Sequence, residues 1–244
     1  MKKYYYDLHI HSCLSPCGDN DSTPDSIAGM GELNELDILA LTDHNTCKNC
    51  PAFFKAASQH GIIPIAGMEL TTAEDIHLVC LFPTLSKAME FDEVVEKRRI
   101  HIKNRPEIFG DQLIMDSEDK VVGTVEDLLI NATDITVEEA ARFVESHGGV
   151  CYPAHIDRES NGIISVLGAF PEDAGFTAAE LHDANLLCDY TKIANLPQEA
   201  FIVSSDAHNL WSIKEKTDFI ELDPPSDEDD DVRRCLIEYL RSKK

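Results

Sequence analysis

The stretch Asp7-Leu8-His9-Ile10-His11-Ser12 decides the interpretation of this chain. It follows the aromatic run Tyr4-Tyr5-Tyr6, which predicts a β-strand. Side chains alternate between the two faces of a strand, so His9 and His11 are expected to point to the same face. Two imidazoles on one face of a rigid strand are a ready pair of ligands for a divalent metal. Alone, this pair is better explained as a surface strand that happens to carry two histidines.

Similar signals recur at the ends of later apolar runs, and this recurrence favours a metal site. The apolar runs alternate with helical patterns, which predicts a mostly parallel sheet with helices outside it. In a closed barrel the carboxyl ends of the strands converge on one face, where active sites are built. We therefore favour an α/β barrel over an open doubly wound sheet. The side chains collected at strand ends are His9, His11, His44, Glu69, His77, His155, Asp206 and His208.

This collection contains imidazoles and carboxylates but no thiolate, a set that suits zinc, manganese or iron(II). It exceeds what one ion can use, so two or three divalent ions are expected. Clusters of such ions polarise a phosphoryl oxygen and supply a hydroxide nucleophile at neutral pH. Asp7 and Asp43 closely precede ligand histidines and are candidates for orienting the histidine rings.

Length and net charge limit the number of domains and the kinds of binding partner that can be expected. The chain has 244 residues, enough for one large domain, and a formal net charge of −24. That charge argues against duplex DNA binding, but it leaves a nucleotide substrate open because bound cations invert the local field. No apolar run of about 18 residues suggests a membrane span. The N-terminus lacks the apolar segment of a secretory signal, so a cytoplasmic location is expected.

Four of the eight cysteines have suggestive spacings. Cys13 and Cys17 form Cys-x3-Cys, and Cys47 and Cys50 form Cys-x2-Cys, spacings that suit a zinc site or a redox pair. Four reduced cysteines in polar loops are the favoured interpretation.

Residues 85–135 interrupt the alternation with a helical pattern and a hairpin pattern. This segment carries a group of basic residues, which are Lys97, Arg98, Arg99, Lys103 and Arg105. A solvated helix face is the slightly favoured interpretation of these bases. A lid that faces the substrate is the alternative.

Five short motifs of this sequence resemble those of a known protein family. Asp7-Leu8-His9-Ile10-His11-Ser12, Thr42-Asp43-His44, Gly67-Met68-Glu69, Pro153-Ala154-His155 and Ser205-Asp206-Ala207-His208 resemble, in order, the motifs of the PHP family, the polymerase and histidinol phosphatase superfamily of metal-dependent phosphoesterases. The resemblance implies a distorted (β/α)7 TIM-like barrel. It makes residues 1–244 a single PHP domain with an inserted helix and hairpin at about 85–135.

The resemblance also implies three metal positions. Their ligand sets are His9, His11, Glu69 and Asp206; then Glu69, His77 and His155; and finally His44 and His208 with one residue of the loop after His11. We assign that loop position to Asp19. Asp21 and Cys17 are alternatives because the loop is longer here than in other family members.

The implied activity is hydrolysis of a phosphoester of a small nucleotide or an RNA end, by an enzyme of the phosphatase or exonuclease type. Arg158 is the candidate phosphate clamp, and pairing with Asp157 or Glu159 on the surface is the alternative. Asp206 or His208 is expected to handle a proton of the nucleophile or leaving group. A histidinol-phosphate phosphatase is the first alternative function. A module without catalysis, binding metal or sensing redox state through thiols, is an alternative of another class.

Overall fold

The strands curl into a distorted barrel in this computed structural model, which describes residues 1–242. The strands are β1 (Lys2–Ile10), β2 (Ile38–Leu41), β3 (Ile63–Thr71), β4 (His77–Phe82), β5 (Leu113–Met115), β6 (Val121–Thr124), β7 (Val150–Pro153), β8 (Ala179–Leu181), β9 (Phe201–Val203) and β10 (Phe219–Leu222). The helices are α1 (Pro24–Leu33), α2 (Cys50–Ala57), α3 (Leu85–Arg98), α4 (Pro106–Phe109), α5 (Val137–Ser146), α6 (Ile163–Leu167), α7 (Leu187–Ala194) and α8 (Asp229–Arg241).

One curled sheet of six strands has the order β10-β1-β2-β3-β4-β7. The parallel pair β8–β9 closes the gap between its two sides. A bridge between Ile10 and Ala207 joins this pair to β1, and the amide of Ile156 donates to the carbonyl of Glu180 beside β7 (2.9 Å). The predicted distorted α/β barrel is therefore confirmed.

The expectation of a mostly parallel sheet is wrong at two strands. β4 runs antiparallel to both β3 and β7, and β10 runs antiparallel to β1. His77 is accordingly the first residue of β4 and not one near its carboxyl end. Because β4 runs the opposite way, its first residue lies at the face where β1, β2 and β3 end.

Apolar residues fill the other end of the barrel. Tyr4, Tyr6 and Leu8 of β1 pack with Val232 and Leu236 of α8, so this helix covers the end at which β1 begins. A register irregularity between Asp7 and Ile10 then changes the alternation of β1. Ile10 consequently packs in the outer cluster beneath the helices, whereas Leu8 lies in the inner one.

The predicted insertion has two parts. Helix α3 packs Phe91 and Val95 into the outer core, so it belongs to the main layer of helices. Residues 99–135, with α4 and the hairpin β5–β6, lie against the loops that follow β1 and β2. The amide of Leu113 donates to the carbonyl of Cys13 (3.0 Å), and Asn45 Nδ2 donates to the carbonyl of Leu129 (2.7 Å). Within residues 1–242, no helix is long and apolar enough to cross a membrane.

Candidate metal centre

Glu69 is the centre of the cluster that forms at the strand ends. It lies on β3, its side chain is 1% exposed, and each carboxylate oxygen faces imidazole nitrogens. The distances to the nearer oxygen are 3.3 Å from His9 Nε2, 3.3 Å from His11 Nε2, 3.0 Å from His44 Nδ1, 2.9 Å from His77 Nδ1 and 3.1 Å from His155 Nε2. Five imidazoles from four parts of the chain therefore converge on one buried carboxylate.

The first predicted ligand set comes together as a unit. One ligand atom from each of His9, His11, Glu69 and Asp206 lies within 4.8 Å of all the others. The Nε2 atoms of the two histidines are 3.2 Å apart, and both are within 3.4 Å of Asp206 Oδ1. This is the grouping that the resemblance implied for one metal position.

Glu180, on β8, determines which ring nitrogen of His9 carries a proton and which is available as a metal ligand. Its two oxygens lie 2.9 and 3.0 Å from His9 Nδ1, and Oε1 also accepts from the amide of His155 at 3.1 Å. An ionised carboxylate only accepts hydrogen bonds, so His9 Nδ1 carries a proton. The Nε2 lone pair of a neutral ring then points at Glu69 and Asp206.

A relay through Ser15 does the same for His11. The hydroxyl of Ser15 donates to Asp43 Oδ1 at 2.7 Å and lies 3.0 Å from His11 Nδ1. Since the single hydroxyl proton goes to the carboxylate, His11 Nδ1 must be the donor in the second bond. His11 Nε2 is thereby left as a ligand atom. Asp43 thus orients His11, as predicted, but it does so through a serine.

Asp7 acts on the backbone instead of on a ring. Its Oδ1 accepts from the amide of Ser205 at 3.0 Å, and its Oδ2 accepts from the amide of Lys214 at 3.1 Å. These bonds hold the turn in which Asp206 adopts a left-handed φ of +53°. Such a conformation is costly for a non-glycine residue and needs support from its surroundings. Asp7 therefore positions Asp206.

The second and third ligand sets differ in part from the predicted ones. His44 groups with Glu69 and His77, where the prediction had His155. His11, His44 and His208 form the remaining group, so His11 stands where a loop residue was expected. His155 stays beside Glu69 without joining either of these groups.

The backbone of Asp19 lies beside the cluster, because its amide donates to the carbonyl of His208 at 2.8 Å, but its carboxylate belongs to none of the groups of candidate ligand atoms. The residue is exposed, and its Oδ1 accepts from the amide of Asp21 at 3.0 Å. Asp21 is exposed as well. Cys17 is exposed, and its thiol belongs to none of the groups of candidate ligand atoms. The loop ligand of the third position stays a prediction.

Charge in the cluster is balanced by the imidazoles. Burial lowers the pKa of His9, but Glu180, Glu69 and Asp206 together raise it well above its ordinary value. Burial likewise opposes protonation of His11, yet the close carboxylates of Asp206 and Glu69 raise its pKa to about 9. Burial raises the pKa of Glu69, and the surrounding histidines lower it well below its usual range. The carboxylates thus favour the protonated forms of His9 and His11, and the histidines favour the ionised form of Glu69.

The residues fit divalent cations. His44 Nδ1 and His77 Nδ1 are buried and lie close to Glu69, but at angles that give no hydrogen bond. Asp206 Oδ1 is likewise buried without a hydrogen-bond partner in the described part of the chain. A cation among these atoms would supply the missing partner for each. Nitrogen and carboxylate oxygen donors of this kind suit zinc, manganese or iron(II).

Arg158 stands at the mouth of the cluster. Its Nη1 donates to Asp206 Oδ2 at 2.5 Å, and its Nη2 lies 2.9 Å from His182 Nδ1. The side chain is 38% exposed, so it is accessible to a ligand. The alternative, a surface arginine paired with Asp157 or Glu159, is not what the structure contains.

Two contributors to the site were missed from the sequence, namely Glu180 and Ser15. A carboxylate inside the apolar run Ala178–Leu181 is a usable signal, because a buried charge is rare without a partner. Nothing in the sequence pairs Ser15 with Asp43, which is 28 residues away.

The cysteines do not assemble a site of their own. The thiol of Cys13 faces the carbonyl of Leu113 at 3.9 Å, and the thiol of Cys47 donates to the carbonyl of Gly67 at 3.2 Å. Burial raises the pKa of Cys13 to about 12 and that of Cys47 well above its ordinary value, which makes both thiols unreactive. No group of candidate metal ligands among residues 1–242 contains a cysteine.

A distorted α/β barrel with imidazoles and carboxylates gathered at one end is the architecture of a metal-binding barrel protein. Within that class, the family model of the PHP domain matches residues 7–144, more than half of the chain. The chain therefore belongs to the PHP domain family.

Relatives of known sequence match only part of this chain. A 5′-3′ exoribonuclease of Haemophilus influenzae is 30% identical over 114 residues, which is 43% of this chain and 40% of that protein. An error-prone DNA polymerase of Symbiobacterium thermophilum is 38% identical over 77 residues, 32% of this chain and 7% of the polymerase. The chain thus spans well under two thirds of these relatives.

The fold also resembles solved structures. Endonuclease Q from Pyrococcus furiosus, described as a lesion-specific endonuclease, has a TM-score of 0.64 and 21% identity, covering 100% of this chain and 57% of that one. A second Endonuclease Q structure, in complex with a 27-mer duplex with an abasic lesion at the active site, has a TM-score of 0.63 and 19% identity, covering 100% of this chain and 58% of that one. At this identity the likeness establishes the fold alone.

Proposed function

We propose that the cluster around Glu69 hydrolyses a phosphoester of a nucleotide or of a nucleic-acid end, with two or three divalent cations. The observation that carries the proposal is the convergence of five imidazoles on Glu69 beside an accessible arginine. Family membership agrees with it, as do the names of relatives that act on polynucleotides.

The ligand sets described above would hold the cations, with Glu69 shared between two positions. When bound, such cations polarise a phosphoryl oxygen, offset its developing charge and lower the pKa of water. The protein supplies preorganisation. Glu180 and Ser15 hold the rings of His9 and His11 with their Nε2 lone pairs aimed at the same point.

Arg158 is suited to bind the phosphoryl group. A guanidinium matches two phosphate oxygens with two parallel hydrogen bonds. Its present partner is Asp206, and a cation that takes over this carboxylate leaves Arg158 free for the substrate.

The surroundings of Asp206 and His208 lower the pKa values of both groups. Burial raises the pKa of Asp206, but the neighbouring histidines lower it well below its usual range. Burial and the charge of His11 lower the pKa of His208 to about 4. The lowered pKa values therefore disfavour both groups as proton donors to a leaving group.

Phosphate release tests this function. The protein is loaded with Mn²⁺ and offered adenosine 3′,5′-bisphosphate, a 5′-phosphorylated RNA octamer, histidinol phosphate and a phosphorylated DNA duplex. His9→Ala removes one ligand, and His60→Ala is the matched control because His60 pairs with Glu32 outside the cluster.

We expect release from the nucleotide or RNA, loss of that release in His9→Ala and full release in His60→Ala. Release from histidinol phosphate alone would overturn the nucleic-acid assignment. Release from the duplex would overturn the expectation, still a prediction, that duplex DNA is not bound. Equal rates in His9→Ala and the parent protein would refute the site itself.

A further inference from the structure

Two basic residues, several apolar side chains and one acid, Glu107, lie along an exposed segment beside the metal centre. We name residues 100–110 the rim segment. Ile102 is 47% exposed, Ile108 56% and Phe109 37%, and Lys103 and Arg105 between them are exposed as well. Apolar side chains this exposed indicate a contact surface when they occur together.

One end of the rim segment touches the loop that carries His11. A Cβ atom added to Gly110 would lie 2.6 Å from the carbonyl oxygen of Pro16, so the two backbones are in contact. Pro16 follows Ser15, whose hydroxyl holds the ring of His11. Asn20, in the same loop, donates to Asp111 just beyond the segment (3.2 Å).

The other end reaches the loop that carries His44. Asn131 Nδ2 donates to the carbonyl of Ile100 at 3.5 Å. The carbonyl of Asn131 in turn accepts from Asn45 Nδ2 at 2.9 Å, and Asn45 directly follows His44. The rim segment therefore borders the metal centre between two ligand-bearing loops.

The segment is held in place by its backbone. Asn104 is only 7% exposed, and its Nδ2 donates to the carbonyl of Gly110 at 2.9 Å. Its amide donates to the carbonyl of Glu126 at 2.7 Å, and the amide of Leu128 donates to the carbonyl of Ile102 at 2.7 Å. These bonds fix the backbone while the side chains around Asn104 face solvent.

The charge of the rim segment is unusual for this protein. The chain carries a net charge of −24, yet among the side chains that the structure describes no carboxylate pairs with Lys103 or Arg105, although Asp127 and Glu107 lie nearby in the backbone. Arg105 instead lies over the ring of Phe109, with its guanidinium carbon 5.9 Å from the ring centroid. Arg98, just before the segment, is by contrast paired with Asp134 and Glu139. Two bases thus remain available for an anionic ligand.

We propose that the rim segment binds the nucleotides next to the reacting phosphate, so that the substrate is a single-stranded oligonucleotide instead of a mononucleotide. Lys103 and Arg105 would contact backbone phosphates, and Phe109 would stack against a base. Proteins that bind single strands combine such bases with aromatic rings. This inference rests on the proposed function for the chemistry, but not for the binding.

The test compares a short and a long ligand. Lys103→Glu with Arg105→Glu reverses both charges, and Phe109→Ala removes the ring. The matched control is Lys3→Glu with Arg142→Glu. Lys3 is at the start of β1, and Arg142 lines the cavity next to the start of β7, both far from the centre. Binding of a 5′-phosphorylated RNA octamer, and of the DNA octamer of the same sequence, is followed by fluorescence anisotropy. Phosphate release is measured for the octamer and for adenosine 3′,5′-bisphosphate.

We expect the double rim variant to weaken octamer binding by about tenfold or more at low salt. The plot of log affinity against log salt has a negative slope, and its magnitude should decrease by about 1.4, because each of the two lost phosphate contacts on a single strand contributes roughly 0.7. Phe109→Ala should weaken octamer binding by at least about fivefold. The KM for the bisphosphate should stay unchanged in all variants, and the control should match the parent protein.

The two proposals fail in different ways. Equal octamer affinity in the rim variants and the parent protein would overturn the rim assignment, whether or not phosphate is released. Octamer binding that depends on the rim, without release from any phosphoester, would overturn the proposed function and leave the rim assignment standing. A preference for RNA over DNA would identify the kind of strand.

Discussion

Glu180 offers the sharpest test of how the centre is built, because it contacts two ligand residues without being placed to bind a cation. Its side chain is 1% exposed, and both oxygens face His9 Nδ1. Glu180→Gln keeps the shape but removes the charge. It also places an amide NH₂ group where one oxygen accepted a hydrogen bond. A hydrogen bond to a charged group contributes about 1.5–3 kcal/mol and a neutral one about 0.5–1.5 kcal/mol.

The difference of about 1–1.5 kcal/mol corresponds to a loss of roughly tenfold in cation affinity, at the lower end of the 10–100-fold range typical of such partners. Glu180→Ala should behave differently. It leaves His9 Nδ1 and the amide of His155 buried without acceptors, at a cost of about 1–3 kcal/mol each. We therefore expect the alanine variant to lose about 2–6 kcal/mol of unfolding free energy as well.

Titration calorimetry of the metal-free protein with Mn²⁺ measures the affinity, and chemical denaturation measures the stability. Asp37→Asn is the matched control, because Asp37 accepts from the amide of Tyr5 (2.7 Å) at the far end of β1. Parental Mn²⁺ affinity in Glu180→Gln would refute the reasoning. An equal loss of affinity in Asp37→Asn would also refute it, since a general effect on the fold would then explain the result.

Three further outcomes are expected. Ser15→Ala should lower Mn²⁺ affinity about tenfold by releasing His11, again by calorimetry, whereas an unchanged affinity would exclude the relay. Arg158→Ala should raise the KM for a phosphoester without weakening Mn²⁺ binding, because it removes the present partner of Asp206, and Arg158→Lys should restore only part of the phosphoester binding. The metal-free protein should lose stability as the pH rises. The pKa of His11 is raised to about 9 from 6.5, so its stabilising contribution is complete below pH 6.5 and disappears as the pH passes about 9. Denaturation curves from pH 6 to 9.5 would show this, and a flat profile would contradict it.

The cluster was predictable because residues at the ends of neighbouring parallel strands must lie close together. His9, His44 and Glu69 belong to β1, β2 and β3 or follow directly after them, and parallel strands in a barrel bring their ends to one face. His77 reaches the same face for a reason that the sequence does not contain. Its strand runs in the opposite direction, so its beginning lies where the others end.

Asp19 shows which part of the site the sequence could not predict, namely the ligand from the loop after β1. The loop after β1 is long enough for several carboxylates to reach the centre, and spacing cannot choose among them. In the structure a local bond to the amide of Asp21 holds the Asp19 carboxylate instead. Short-range bonds of aspartate to the following backbone are common in turns and compete with distant ligands.

The distribution of charge affects where this acidic protein can bind a phosphorylated substrate. A chain with a net charge of −24 repels phosphates over most of its surface. The exception is the end of the barrel where cations are expected, with Arg158 at the mouth and Lys103 and Arg105 on the rim. In the rim proposal a single strand lies here, with its phosphates beside Lys103 and Arg105. Acidity elsewhere on the molecule therefore favours phosphate groups that enter through the centre, and this selectivity should weaken as added salt screens the repulsion.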